Sequence, residues 1–171
     1  MTQLRNHGSL CNSNYVQRAV YFLQEIFHTE LDFKYILYKG NPYSFDLEEE
    51  LVRLQADYLI ELDHRSPGYG PSLVPTKNSE ELRSRFPKTI TYYKPQLEFI
   101  AEKFGTKSIA ELNKLAIALW VTKELGTESN ESQRAKRVCQ LKPGICFSDA
   151  LLSVHELDQI IKNTNNMFVI K

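Results

Sequence analysis

Apolar residues recur at helical spacing between Tyr15 and Phe27. Tyr15, Val16, Ala19, Val20, Phe22, Leu23, Ile26 and Phe27 share one side, with Gln17, Arg18, Gln24 and Glu25 opposite. Residues three and four apart stack on one face of an α-helix, so this pattern predicts an amphipathic helix capped by Asn14 and ending near His28. Residues 1–13 before it are polar, with Gly8, Ser9, Asn12 and Ser13 among them, and are expected to form a flexible arm. The period shortens from Phe33 to Tyr38, where aromatic and aliphatic residues alternate as in a strand. Gly40-Asn41-Pro42 breaks that strand, and Asp46 is placed to cap a second helix with Leu47, Leu51, Leu54 and Tyr58 as its buried stripe. Leu59 to Leu62 then reads as a strand and Asp63 to Gly70 as a turn. Pro71 to Thr76 reads as a returning edge strand, because Pro75 cannot donate to a ladder.

From Lys77 onward the pattern is helical. Asn78-Ser79-Glu80-Glu81 has the composition of a helix start, and Pro87 ends that helix after Phe86. Thr89 to Phe104 carries Ile90, Tyr93, Leu97, Ile100, Ala101 and Phe104 on one side. Pro95 is expected in its first turn or at a kink, and Gly105 at its C-terminal cap. Ser108 and Glu111 have capping-box spacing. The helix they open, through Leu125, is apolar on most sides and is expected to be the central core helix. A polar helix follows over residues 127–141, Lys142-Pro143-Gly144 breaks the chain, and Ser148 is expected to cap the last helix. The apolar tail around Met167 and Phe168 either docks on the domain or meets a partner.

These elements give a single α+β domain over residues 14–163, mainly α-helical. Its N-terminal half (14–76) is winged-helix-like with a small β wing, its C-terminal half (77–163) is helical, and 164–171 form a tail. Lys plus Arg and Asp plus Glu both number 21, so the net charge is zero, which argues against binding nucleic acid through bulk charge. Three cysteines without a CxxC spacing fit reduced thiols in a cytoplasmic protein. There is no basic start followed by an apolar stretch long enough for a signal peptide. No apolar run reaches the roughly 20 residues of a bilayer span, so no membrane role is expected.

Several short motifs resemble those of a group of small bacterial proteins. Val20-Tyr-Phe-Leu-Gln24 looks like their LVYFLQ-type opening, and Pro42-Tyr-Ser-Phe-Asp-Leu47 resembles their YGPYSxEL motif. Leu51 to Ile60 follows as L…L…GLI, with Tyr58 in the glycine-like slot and Asn41 inserted between Gly40 and Pro42. Ser108-Ile-Ala-Glu-Leu-Asn-Lys-Leu-Ala116 resembles their central LELVATI helix, and Leu141-Lys-Pro143 their late LKP turn. Together these cover most of the chain, and they resemble the YwgA-like proteins, related to the Panacea domain of the SocA antitoxin. The resemblance implies a mostly helical fold around a winged-helix-like core. It also implies an antitoxin-like role: Panacea proteins neutralise toxins by direct binding, at least one delivers its toxin to a protease, and many are encoded near mobile elements or phage-defence genes. It carries over no catalytic residue.

The residues themselves offer no catalytic set. There is no GxxxxGK[ST] or GxGxxG, and His7, His28, His64 and His155 show no metal-ligand spacing. No catalytic residue, cofactor or metal is therefore expected. Asp63-His64 reads as a solvated turn pair, and Cys139 and Cys146 as buried small apolar residues. The helix that would enter a DNA groove carries Asp46, Glu48, Glu49, Glu50 and Asp57 against Arg53 alone, a charge that repels phosphate but suits the N-terminal helix dipole.

The leading expectation is thus a non-catalytic protein-binding module, antitoxin-like or an adaptor, whose partner is a toxin or defence-system subunit. Tyr38, Tyr43, Phe45, Glu48, Glu49 and Tyr69 are its candidate partner-binding residues. Tyr43 and Phe45 staple the helix start onto the core, or Tyr43, if exposed, joins Tyr38 and Tyr69 in an aromatic patch. The alternative is a winged-helix DNA-binding transcriptional regulator working through the wing and two basic stretches: Arg65, Arg83, Arg85, Lys88, Arg134 and Arg137.

Overall fold

The computed structural model describes residues 1–64, 70–126 and 128–168, with side chains through residue 164. In chain order the elements are α1 (Thr2–Asn6), α2 (Ser13–Phe27), β1 (Ile36–Tyr38), β2 (Asn41–Tyr43), α3 (Phe45–Ala56), β3 (Ile60–Asp63), β4 (Ser72–Pro75), α4 (Lys77–Ser84), α5 (Pro87–Phe104), α6 (Ile109–Leu125), α7 (Glu131–Leu141) and α8 (Phe147–Phe168). Helix accounts for 66% of the described residues, beside two small antiparallel sheets, so the chain is mainly helical α+β. It forms two compact units. One comprises Met1–Tyr35 and Ser44–Ile109, the other Ile36–Tyr43 and Ala110–Lys171.

In the first unit, residues expected as a flexible arm instead form α1, which packs on α5, and Leu4 and Cys11 are buried. Burying those two apolar side chains holds the segment down, which its polar neighbours conceal in the sequence. Gly105 does cap α5, but with an ordinary right-handed φ of −59°. What requires glycine there is space: a Cβ would meet the Ala101 carbonyl oxygen and lie 2.7 Å from the Cβ of His7.

Asn12, not Asn14, caps α2, its side chain accepting from the Tyr15 amide at 2.9 Å. Phe22 stacks on Phe104 with ring centroids 4.2 Å apart, and the Tyr15 hydroxyl donates to the Phe104 carbonyl. Gln17 and Arg18, expected on the polar side, are buried. Gln17 donates from Nε2 to the Ser44 carbonyl (2.8 Å) and accepts from the Ser44 amide (3.0 Å). Gln24, two turns on, does the same to Phe33 at 3.0 and 3.1 Å. Two side-chain amides thus stand in for strand partners and fix the chain on either side of residues 34–43.

Strands β3 and β4 pair in register from Ile60↔Pro75 to Asp63↔Ser72, as expected of the wing. Arg65 and Tyr69 lie outside the described residues. Pro87 starts α5, where its missing N–H is not needed, whereas Pro95 lies in the interior of that helix and not in its first turn. The carbonyl that proline leaves without its helical partner is that of Thr91, an exposed residue.

In the second unit, β1 and β2 form a hairpin closed by Lys39 and Gly40, with φ of +50° and +68°. Two successive positive φ angles give the turn whose twist matches antiparallel strands. Asn41 and Pro42, expected to break a strand, begin β2 instead. In a two-stranded sheet every strand is an edge strand, which tolerates proline. Strand β1 pairs with β2 and not with the wing strands. Lys142 donates to the Asn41 side chain at 2.6 Å, tying the hairpin to the end of α7.

Helix α6 is buried on most sides, from Leu112 to Val121, as its continuous apolar character predicts. Asn130 and Gln133 form a capping box at the start of α7. Helix α8 begins at Phe147, so Ser148 lies inside its first turn and does not cap it. Lys114 joins α6 to α8 through Asp149 at 2.6 Å. Of the cysteines, only Cys11 is buried; Cys139 is half-buried and Cys146 exposed, against the expected burial of both. Among the described residues no helix is long and apolar enough to cross a membrane.

Candidate functional site

Helix α3 carries the sequence feature that separates the two expected functions. Ser44, held in an extended conformation by Gln17, caps it by accepting from the Leu47 amide at 3.2 Å. The cap is therefore two residues before Asp46, which lies in the first turn beside Glu48 and still complements the helix dipole. Leu47 and Leu51 face the core. Leu54 is half-buried, and Tyr58, expected to extend that stripe, is 75% exposed. The helix ends at Ala56, and the left-handed φ of +55° at Tyr58 turns its side chain off the helix face.

The opposite face of α3 bears Phe45, Glu49, Val52 and Ala56, spaced four, three and four residues apart, so they form one stripe. Phe45 and Val52 are 51% and 58% exposed. Arg53 lies 3.6 Å from Glu49 and 3.7 Å from Glu50, exposed pairs that hold little energy. Glu48 is half-buried and accepts from the Ser13 hydroxyl at 2.8 Å, so it ties α3 to α2 and belongs less to the outer face than Glu49 does. Sequence periodicity missed Val52, because an isolated valine on a polar face carries no signal of its own.

The expected aromatic patch is brought together in part. Tyr38 and Tyr43 meet diagonally across the β1–β2 hairpin with centroids 5.5 Å apart, and the Lys39 ammonium lies 5.2 Å from the Tyr38 ring. Both tyrosines belong to the second unit, whereas Phe45, Glu48 and Glu49 belong to the first.

The two basic stretches behave differently. Arg134 is buried, grips Asp158 with both terminal nitrogens at 2.7 and 2.6 Å, and donates to Thr122 at 3.2 Å. Its fork is thereby occupied, and the hydrogen bonds to Asp158 raise its pKa further. Arg137 is likewise bidentate to Glu124 at 2.6 and 3.2 Å. Both guanidiniums are therefore engaged with carboxylates within the chain, unlike the open cations described next.

Arg83, Arg85 and Lys88 remain exposed where α4 gives way to α5. Arg83 donates to the Thr2 hydroxyl at 3.2 Å, and neither Arg85 nor Lys88 forms an ion pair among the described residues. Phe86 and Tyr92 stand beside them, 55% and 70% exposed, with Tyr92 edge-on to Tyr93 at 4.9 Å.

Among the described residues no group of three or more His, Cys, Asp or Glu side chains is placed to hold a metal ion. Burial pushes the hydroxyls of Tyr21 and Tyr35 well above the usual phenol range. Comparison with family profiles, curated proteins and solved structures gave no match, so no residue role is carried over from a relative.

Proposed function

We propose that this chain is a non-catalytic protein-binding module, an antitoxin-like or adaptor component of a bacterial or phage conflict system. The observation that carries the reading is the outer face of α3, where Phe45 and Val52 flank Glu49 in a single exposed stripe. Exposed aromatic and aliphatic side chains at helical spacing suit a groove on a protein partner, and the acidic residues between them suit a basic rim. The same charges disfavour phosphate, so the stripe argues for a polypeptide.

A tagged pull-down from the native host, split into nuclease-treated and untreated halves, tests this. A stoichiometric protein that survives nuclease and is lost with F45E/V52E supports the reading. Equal capture by that variant sinks it, as does turnover of a nucleic acid or nucleotide by the purified protein that a point mutation abolishes.

The open cluster of Arg83, Arg85 and Lys88 beside Phe86 and Tyr92 favours a second reading, a DNA-binding regulator that uses this face and the wing instead of α3. Cations interleaved with exposed rings are what a backbone grip with base stacking requires. Its signature is a steep loss of binding with salt. A gel shift without retention at low salt removes it.

A further inference from the structure

The first unit contains a cavity of about 660 Å³, bounded by α1, α2, α4, α5 and the ends of α3, β3 and β4. Its wall is largely aliphatic, with Leu4, Val20, Leu23, Leu54, Leu59 and Leu97 contributing. The cavity falls within the roughly 300–1,000 Å³ of small-molecule sites.

Charge in the lining is one-sided. Arg83 and Lys94 are its charged side chains, and no Asp or Glu lines it. Both cations are exposed, as is Leu82; the Met1 amino group adds a third cation to the lining, and the rest of the wall is mostly aliphatic. Arg83 is steadied by its bond to Thr2. Lys94 has Glu98 at 3.7 Å, an exposed pair of little energy, so its ammonium can also receive a second carboxylate.

A mainly aliphatic wall favours an apolar chain, because most buried polar groups of a ligand would go unpaired there. Cations in the lining select against neutral or basic ligands. We propose that this cavity binds an aliphatic carboxylate, its chain among the leucines and its head on Arg83 and Lys94. The guanidinium fork matches the two carboxylate oxygens, and Lys94 adds a point charge. This site is separate from the α3 stripe and does not depend on the protein-binding reading.

Titration calorimetry of the full chain with dodecanoate, held below its micelle concentration, tests the proposal, with dodecanol and butyrate as controls. The expected result is saturable one-to-one binding of dodecanoate, with dodecanol and butyrate each at least about tenfold weaker. R83E/K94E alters only exposed side chains and is expected to weaken dodecanoate by about tenfold or more at an unchanged melting temperature. V20W, which fills the aliphatic part and leaves both cations intact, is expected to abolish binding. Absence of saturable binding overturns the proposal, as does dodecanol binding as tightly as dodecanoate, or R83E/K94E binding like the parent while remaining folded.

Discussion

Gln17 satisfies two backbone groups with one side chain, and Ser44 supplies both. Removing the amide while keeping its volume leaves a buried N–H and a buried carbonyl without partners. Gln17→Leu is therefore expected to destabilise the protein by about 2–6 kcal/mol, since each orphaned group costs roughly 1–3 kcal/mol. Urea denaturation followed by circular dichroism measures this, and a change within about 0.5 kcal/mol would show that the clamp is not structural. Gly105→Ala tests a different residue-scale constraint. Its Cβ has no room between Ala101 and His7, so a loss of about 1–3 kcal/mol is expected in the same experiment. Neither role was legible in the sequence. Periodicity assigns a glutamine to the solvent side and a glycine to a cap, because it registers polarity and flexibility but not the backbone that another segment brings alongside.

Helices were the legible elements, because a sustained 3.6-residue period survives tertiary context. Helix α6 was clearest, since its apolar residues on most sides predict burial on most sides. Ends were less legible: Ser44 and Asp46 are both good caps, and it is the bond from Gln17, distant in sequence, that selects Ser44. The connections between elements were not legible at all. Lys114 and Asp149 lie 35 residues apart, and their bond holds the Asp149 carboxyl below its usual range while raising the Lys114 ammonium. A carboxyl lowered in the folded state stabilises it above the ordinary carboxyl pKa, and that contribution disappears as pH falls through the lowered value. The raised lysine contributes below its ordinary pKa and loses its share as pH rises through the raised value. Thermal melts of Asp149→Asn and the parent should thus differ at pH 7 and converge as pH falls below about 4. A constant difference across that range would assign the effect to something other than the ion pair.

At the scale of the whole molecule, the function-bearing surfaces follow from which charged groups remain unoccupied after the helices pack. Arginines of the 134–137 stretch are bound to carboxylates, whereas among the described residues Arg85 and Lys88 are not, a distinction invisible in a list of basic residues. The chain also passes between its two compact units three times, after Tyr35, Tyr43 and Ile109. A fragment of residues 110–171 therefore lacks the β1–β2 hairpin and the bond from Lys142 to Asn41. It is expected to unfold at lower urea than the same residues in the intact chain. Trp120, the protein's one tryptophan, lies in that segment and reports its unfolding by fluorescence. Identical midpoints would show that the hairpin adds nothing to its unit.

That interleaving also sets an order in time. Residues 36–43 leave the ribosome before residues 44–109, and the remainder of their own unit begins only at Ala110. At about 5–20 residues per second, the hairpin waits roughly 3–13 s for the first of its later companions. The first unit can close during that interval, with Phe33 and Ser44 already held by the two glutamines of α2. The second unit is then assembled onto a hairpin whose two ends have been anchored in advance.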